Sequence, residues 1–375
     1  MTIIIFLIVL SILIFVHELG HFLIARLFKI RVDEFAIGFP PRLFSFKKGQ
    51  TTYAVNLIPL GGYVKIYGEN PGDELSPDNI LAKPKWQQAL VLVAGVTFNA
   101  LFAWALFTST LIVGAKAPVG DFAAEFSSRP TVMITSVAKG GPAAMAGLKE
   151  GDEILALRSG VSTSTATTTV MFNASTSPIV KDTDVRESII LSTTTLALEI
   201  SRGGKMQTVI TVPKDGIDGI QAGKKGLGIM MANVATVKLP IFKAIGAGFY
   251  QTVDMIKLIG SSTFDFLGRI FQGRAKISEV SGPVAIASSV RDASNLGWVY
   301  LVNFTAFISL NLAVLNLLPI PALDGGRLAV VIIEAIIRRP LKPKIIQVLN
   351  AVSFLLLIAL MIFVTFHDVI ALFYK

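Results

Sequence analysis

The chain has 375 residues, of which 53% are hydrophobic and only 16% charged, with a net charge of +9 and no cysteine. A soluble domain carries about 25% charged residues, so the shortfall points to a membrane protein. The missing cysteines exclude disulfides and thiolate metal sites, and the basic residues gather by loop, which speaks for membrane topology rather than a nucleic-acid partner.

Four apolar runs, 2–24, 89–114, 301–323 and 345–366, are long enough to cross about 30 Å of hydrocarbon as helices. The first lacks a basic leader and a small-residue cleavage site, so it reads as a retained span and not a signal peptide. The loop 25–88 holds nine Lys and Arg residues and the segment 327–344 holds five, whereas none precedes the first span. The positive-inside rule then places both basic segments in the cytoplasm, and both termini and the region 115–300 outside.

Between the first two spans, residues 51–67 carry two β-rich runs interrupted by Pro59, Gly61 and Gly62, the pattern of a hairpin. The run is apolar enough to dip into a protein-lined part of the membrane. A cytosolic hairpin with one buried face is the plainer alternative. Beyond the second span, 132–210 contains four short strand patterns (TVMITSV, EILAL, LALEIS, QTVITV) and one short helix at 142–146. Residues 159–195 are rich in Ser and Thr and predict an extended loop or insertion with a weak strand or two, and 224–231 predicts a closing strand. Helical spacing of apolar residues over 239–271 predicts an amphipathic helix, lying on the outer membrane surface or packed on the soluble region.

The first span ends in His17-Glu18-Leu19-Gly20-His21. Positions i and i+4 share a helix face, so two imidazoles can hold one Zn²⁺ while Glu18 reaches a water beside it. About one chain in a hundred of this size carries the pattern by chance. Its place in an apolar helix raises its weight, because ionisable groups there are functional by default. A polar span end reaching out to water is the bland alternative. A catalytic zinc takes a third protein ligand. With no cysteine, and His367 at the far end of the last span, the candidate is Asp324 in Asn316-Leu-Leu-Pro-Ile-Pro-Ala-Leu-Asp324-Gly-Gly. Prolines and glycines break the third span there and free the backbone to present the carboxylate. Its bland alternative is an N-cap for the next helix. Asn316, Asn311 and Asn99 are amides in apolar spans, suited either to substrate or oxyanion contacts or to helix–helix hydrogen bonds. Gly95 fits close helix approach.

With HELGH at 17–21 and NLLPIPALDGG at 316–326, the chain resembles the site-2 protease family of intramembrane zinc metalloproteases, in its bacterial regulator-of-sigma-E protease branch. FAIGFPPRL (35–43), IPLGGYVK (58–65), the 95–99 segment and VSGPVA (280–285) add to the likeness. The resemblance implies Zn²⁺ on His17, His21 and Asp324, Glu18 as catalytic base, and Asn316 near the active centre. It also implies a substrate-engaging β-loop around 55–67, which contains Gly61 and Gly62. Residues 141–155 and Gly226-Leu227-Gly228-Ile229 resemble the helix–turn–strand signature and carboxylate-binding loop of a permuted PDZ domain, whose groove takes peptide C-termini or extended segments.

The expected architecture is an α-helical integral membrane protein with four transmembrane helices, a membrane-associated β-hairpin and one extracytoplasmic PDZ domain. Its parts are 1–114 (first two spans, zinc motif and β-loop), 115–235 (PDZ-like), 236–300 (surface helix and linker) and 301–375 (last two spans). The expected activity is endoproteolysis of single-span membrane proteins in the bacterial inner membrane, with the active site toward the cytoplasm. A non-catalytic PDZ scaffold is the alternative. A metal transporter would want polar ligands along several spans, which the second and fourth do not offer.

Overall fold

The computed structural model describes residues 2–69, 74–118, 130–138, 140–159, 168–170, 182–191, 195–215, 226–274 and 282–373. The chain divides into two compact units, Met1–Thr110 with Phe242–Lys375, and Leu111–Ile241.

The first unit is built on long apolar helices. Four of them meet the length and hydropathy of a membrane crossing: Ile3–Leu27 within α1 (Thr2–Leu27), α2 (Lys85–Val113), α7 (Trp298–Asn316), and Lys344–Ile370 within α9 (Pro343–Phe373). The third crossing is shorter than its apolar run, because Pro319 and Pro321 cannot continue a helix and the chain turns. It resumes as α8 (Asp324–Ile337). Gly325 and Gly326 press against the carbonyls of Leu317, Leu318 and Ile320, so any side chain there would force this turn open.

Two long strands, β1 (Val32–Lys48) and β2 (Thr51–Ile66), follow α1 and pair antiparallel. Their register is folded back on itself. Glu34 lies opposite both Lys65 and Thr52, and Ala36 opposite both Tyr63 and Ala54. The first part of β1 therefore sits between the two halves of β2, and residues 42–48 pair on the far side of 51–56. This corrects the simple hairpin expected within 51–67: its two runs do not pair with each other but flank β1. Residues 35–43, which carry no clean alternation because of the Pro40-Pro41 pair, supply the missing strand. Phe39, Leu43, Leu57 and Ile58 are exposed toward the tip, and Phe44 and Phe46 along the outer strand. The root is anchored by a buried cluster of Ala25, Ile30, Val32, Ile66, Ile80 and Val91.

α5 (Ile241–Phe271) is one continuous helix that packs on α2 and α7. Ile259 meets Ala103, Phe107, Ala306 and Leu310, and Trp104 Nε1–H donates to the Ile245 carbonyl (2.9 Å). Gly248 lies so close to Thr108 that a Cβ would come within 3.0 Å of its backbone nitrogen. α6 (Pro283–Leu296) was not expected from the sequence; it packs against α1, α7 and α9.

The second unit contains a mixed-length antiparallel sheet in the order β3-β9-β4-β5-β7-β8, with β6 also on β5. The four strand patterns of 132–210 form β4 (Thr131–Val137), β5 (Glu153–Ser159), β7 (Leu196–Arg202) and β8 (Lys205–Thr211), and the short helix is α3 (Pro142–Met145). β3 (Ala115–Pro118) is an added strand, and β9 (Ile229–Val237) runs further than the closing strand expected at 224–231. The Ser/Thr-rich stretch holds β6 (Thr168–Val170), a strand of the weak kind expected there, and α4 (Asp182–Leu191), a helix that corrects the extended-loop expectation for its residues; much of the rest lies outside the described residues. Val185 and Ile189, one turn apart, bury against Leu196, Leu198 and Ile200, and this pair is what makes α4 a helix with a core face. The buried Asp152 accepts from Arg202 Nε and Nη2 at 2.6 Å each, tying β7 to the turn before β5.

α6 begins at Gly282-Pro283, and Gly282 has no side chain to satisfy the first N–H groups. Asp368 of α9 does it from a distance: its Oδ2 accepts from the Ala285 N–H at 3.0 Å. Asp368→Ala is expected to cost about 1 kcal/mol, the worth of a lost helix cap. Thermal unfolding of the purified protein in detergent checks it, with Asp368→Asn retaining most of the stability.

Candidate metal centre

His17 and His21 lie one turn apart on α1, both buried, with ring centroids 4.9 Å apart. Asp324 is the first residue of α8, delivered by the turn after α7. It is not the N-cap, which is Leu323, so its carboxylate is free for another task. That carboxylate meets both imidazoles: Oδ2 lies 2.9 Å from His17 Nε2 and 3.3 Å from His21 Nε2. The two Nε2 atoms are 3.3 Å apart. Among the described residues, these three side chains form the one group of His, Asp or Glu that could hold a metal ion.

The triangle can be tested against what zinc requires. Nitrogen and oxygen ligands at 2.0–2.2 Å in a tetrahedral arrangement stand about 3.3–3.5 Å from one another. The observed separations of 2.9, 3.3 and 3.3 Å match that spacing with one ligand pair slightly closed up. Two histidines and one carboxylate are also the ligand set of catalytic rather than structural zinc, since a structural site would close with a fourth protein donor.

α2 supplies the wall of the cluster. His21 Nδ1–H donates to the Val91 carbonyl at 2.8 Å, which leaves Nε2 facing Asp324. One turn further, Gly95 lies against both rings. A Cβ there would come within 2.7 and 2.8 Å of His17 Cε1 and Nε2, and closer still to His21 Nε2. Gly20 of α1 explains how the helices come so near: its own missing Cβ would fall 2.5 Å from the Ala94 carbonyl oxygen. One turn beyond Gly95, Asn99 is fully buried with its amide 3.2 Å from His17 Nδ1.

The other sequence candidates divide. Asn316, the last residue of α7, brings Nδ2 to 3.4 Å from His17 Nε2 and stands at the cluster. Asn311 does not join it. Its Nδ2 donates to the Phe307 carbonyl of its own helix at 2.9 Å, and five residues of helix turn it about 140° away from Asn316. Gly62 lies beside Glu18, whose Cγ is 3.7 Å from where a Cβ would be, and the Val64 backbone lies near the Glu18 carboxylate. Gly61 faces Phe39 instead and packs under its ring.

Two supports were not anticipated. Glu334 of α8 is buried and accepts from Lys85 Nζ at 2.6 Å and from the Leu341 N–H at 2.9 Å. Arg327, on the first turn of α8, pairs with Glu69 just past β2 at 2.5 Å. A lone acid in the apolar run LAVVIIEAII was a readable signal for Glu334. The Val91 carbonyl had none, because every residue carries one.

Gly95→Ala is expected to abolish stoichiometric zinc binding while leaving the fold intact, since the added methyl group takes the space between the imidazoles. Elemental analysis of the purified variant, with circular dichroism as the control for folding, checks it; one zinc per chain in Gly95→Ala would contradict the geometry.

The sequence matches the model of Peptidase family M50 over residues 5–360. Two relatives bear the name "Putative zinc metalloprotease". The one from Clostridium perfringens is 36% identical over 99% of both chains, and the one from Fusobacterium nucleatum is 34% identical over 90% of this chain and 89% of its own. The "Regulator of sigma-W protease RasP" of Bacillus subtilis is 29% identical over 99% of both chains. Together with the four membrane-length helices, these similarities establish that the chain belongs to Peptidase family M50, the site-2 protease family, and is a zinc-dependent metalloprotease of the membrane.

Proposed function

We propose that the protein cuts single-span membrane proteins at a zinc site held by His17, His21 and Asp324, with Glu18 as general base, and that it acts in the bacterial cell membrane as a regulator-of-sigma-E-type protease. The observation that carries this reading is the course of β2. Residues 62–66 form the outer edge of the β1–β2 sheet and run past Glu18, with Gly62 beside its Cγ and the Val64 backbone near its carboxylate. A helical substrate hides its peptide bonds, whereas a segment unwound and added to this edge as a strand would lie extended beside the base.

When bound, the zinc ion polarises the scissile carbonyl and makes a neighbouring water acidic. Glu18 takes the proton from the attacking water and hands it to the leaving amine. The Val64 backbone orients the Glu18 carboxylate. Asn316, at the mouth of the cluster, supplies an amide for the substrate carbonyl or for the charge that develops on it. Gly62 keeps the approach to Glu18 clear of side chains.

The basic loops between α1 and α2 and around 327–344 orient the metal centre toward the cytoplasm, with residues 115–235 outside as a PDZ-like domain. In that domain Gly226-Leu227-Gly228 leads into β9, and Asn233 of β9 exchanges hydrogen bonds with Asp182 at the start of α4 (3.0 and 3.2 Å). A peptide C-terminus or extended segment is the ligand this arrangement suits. The exposed apolar tip and outer strand of the β1–β2 sheet fit contact with acyl chains, so the sheet would reach the substrate within the bilayer.

Glu18→Gln is expected to lower cleavage of a tagged single-span substrate in detergent by about 10²–10⁴-fold, the usual worth of a general acid–base. Zinc content should not change. Undiminished cleavage would remove Glu18 from the reaction.

A further inference from the structure

Three residues at four-residue spacing on α2, Val91, Gly95 and Asn99, face the histidine pair as a single stripe. The first holds His21 through its carbonyl and the second leaves room for the rings. The third has an unexplained feature. Asn99 is wholly buried, its Nδ2 lies 3.2 Å from His17 Nδ1, and its Oδ1 has no hydrogen-bond partner. The helix itself is firmly seated, because Ser309 Oγ–H of α7 donates to the Asn99 backbone carbonyl at 2.8 Å.

The proton on His17 decides what that amide does. His17 Nε2 is the atom that meets Asp324 and His21. A nitrogen that ligates a metal carries no proton, so the proton of the neutral ring sits on Nδ1. An N–H at Nδ1 then faces the amino group of Asn99, donor against donor, while the carbonyl oxygen of the same amide is buried without a donor. The two ends of a carboxamide are interchangeable by a half-turn about its last side-chain bond, and hydrogen bonding determines the choice. The half-turn replaces the donor–donor contact with Nδ1–H···Oδ1 and gives the orphaned oxygen its proton. Only the amino group then lacks a partner.

We propose that Asn99 is a positioning residue: its side-chain carbonyl accepts the His17 Nδ1–H and so fixes the tautomer and ring orientation that present Nε2 to the zinc, as the Val91 carbonyl does for His21. This rests on the metal reading above, and it assigns Asn99 to the outer support of the site in place of a substrate contact. Partners of this kind raise the basicity of a ligating imidazole and hold it against rotation, and their loss commonly weakens metal binding by 10–100-fold.

The test uses the full chain in detergent with Glu18→Gln as the parent, so that self-cleavage plays no part. Zinc affinity is measured by competition with a chromogenic chelator, and Co²⁺ is loaded separately to read the visible ligand-field bands. Asn99→Leu, which keeps the volume and loses the acceptor, is expected to weaken Zn²⁺ binding by about 10–100-fold and to shift the Co²⁺ bands. Asn99→Asp, which keeps an acceptor and loses the donor, is expected to bind zinc as the parent does. Ser309→Ala, which loosens the backbone tie alone, should leave both readouts unchanged. Parental affinity in Asn99→Leu overturns the proposal. So does a loss in Asn99→Asp as large as in Asn99→Leu, because the amide would then be acting as a donor, and this comparison stands even if the leucine variant does not fold. A parent that binds no zinc, or binds zinc undiminished by His17→Ala, overturns the metal reading itself and is recognised before any Asn99 variant is compared.

Discussion

The approach of the Asp324 carboxylate to the paired imidazoles joins residues 307 and 303 positions apart in the chain, two of them on the membrane-length helix α1 and the third at the start of α8. Burying two imidazoles and a carboxylate together in an apolar setting is tolerable when each has partners of matching chemistry, and costly otherwise. The surrounding structure meets that condition. α2 runs close enough to α1 to supply a backbone carbonyl and an amide, and it does so because Gly20 and Gly95 carry no side chains at the crossing.

Asp324 needs separate support, because it arrives on a helix of its own. Prolines stop α7, two glycines allow the chain to fold tightly against the carbonyls of 317–320, and α8 starts with Asp324. α8 is then held at two points, by Arg327 on Glu69 and by Glu334 on Lys85. Partly exposed ion pairs contribute little to stability. Their value here is directional, since one ties α8 to the end of the sheet that passes Glu18 and the other to the start of the helix that lines the imidazoles.

Much of this was readable without coordinates, for a physical reason. The His17–Glu18–His21 spacing is a local property of a helix, and the Pro and Gly residues around Asp324 announce a break in a span. What escaped the sequence depends on which face or which backbone atom meets which. Asn311 and Asn316 look equivalent as amides in an apolar run, and only the turn of α7 separates them. β1 was hidden because Pro40 and Pro41 interrupt its alternation and its register doubles back. α4 was masked by Ser/Thr-rich flanks, although Val185 and Ile189 mark its buried face. Asp368 capping a helix that begins at Gly282 links residues whose relation has no local signature.

The order in which the chain is made gives the position of Asp324 a further meaning. Synthesis delivers both histidines and Glu18 within the first 21 residues, but the Asp324 carboxylate follows only after the whole of the second unit. Until α7 and α8 have been made, a growing polypeptide carries only two of the three side chains that could hold an ion together. On the proposed reading of the site, the chain would then lack hydrolytic capacity while its own freshly made segments are still unfolded beside it, and the last part of the cradle to be made would set when cutting can begin.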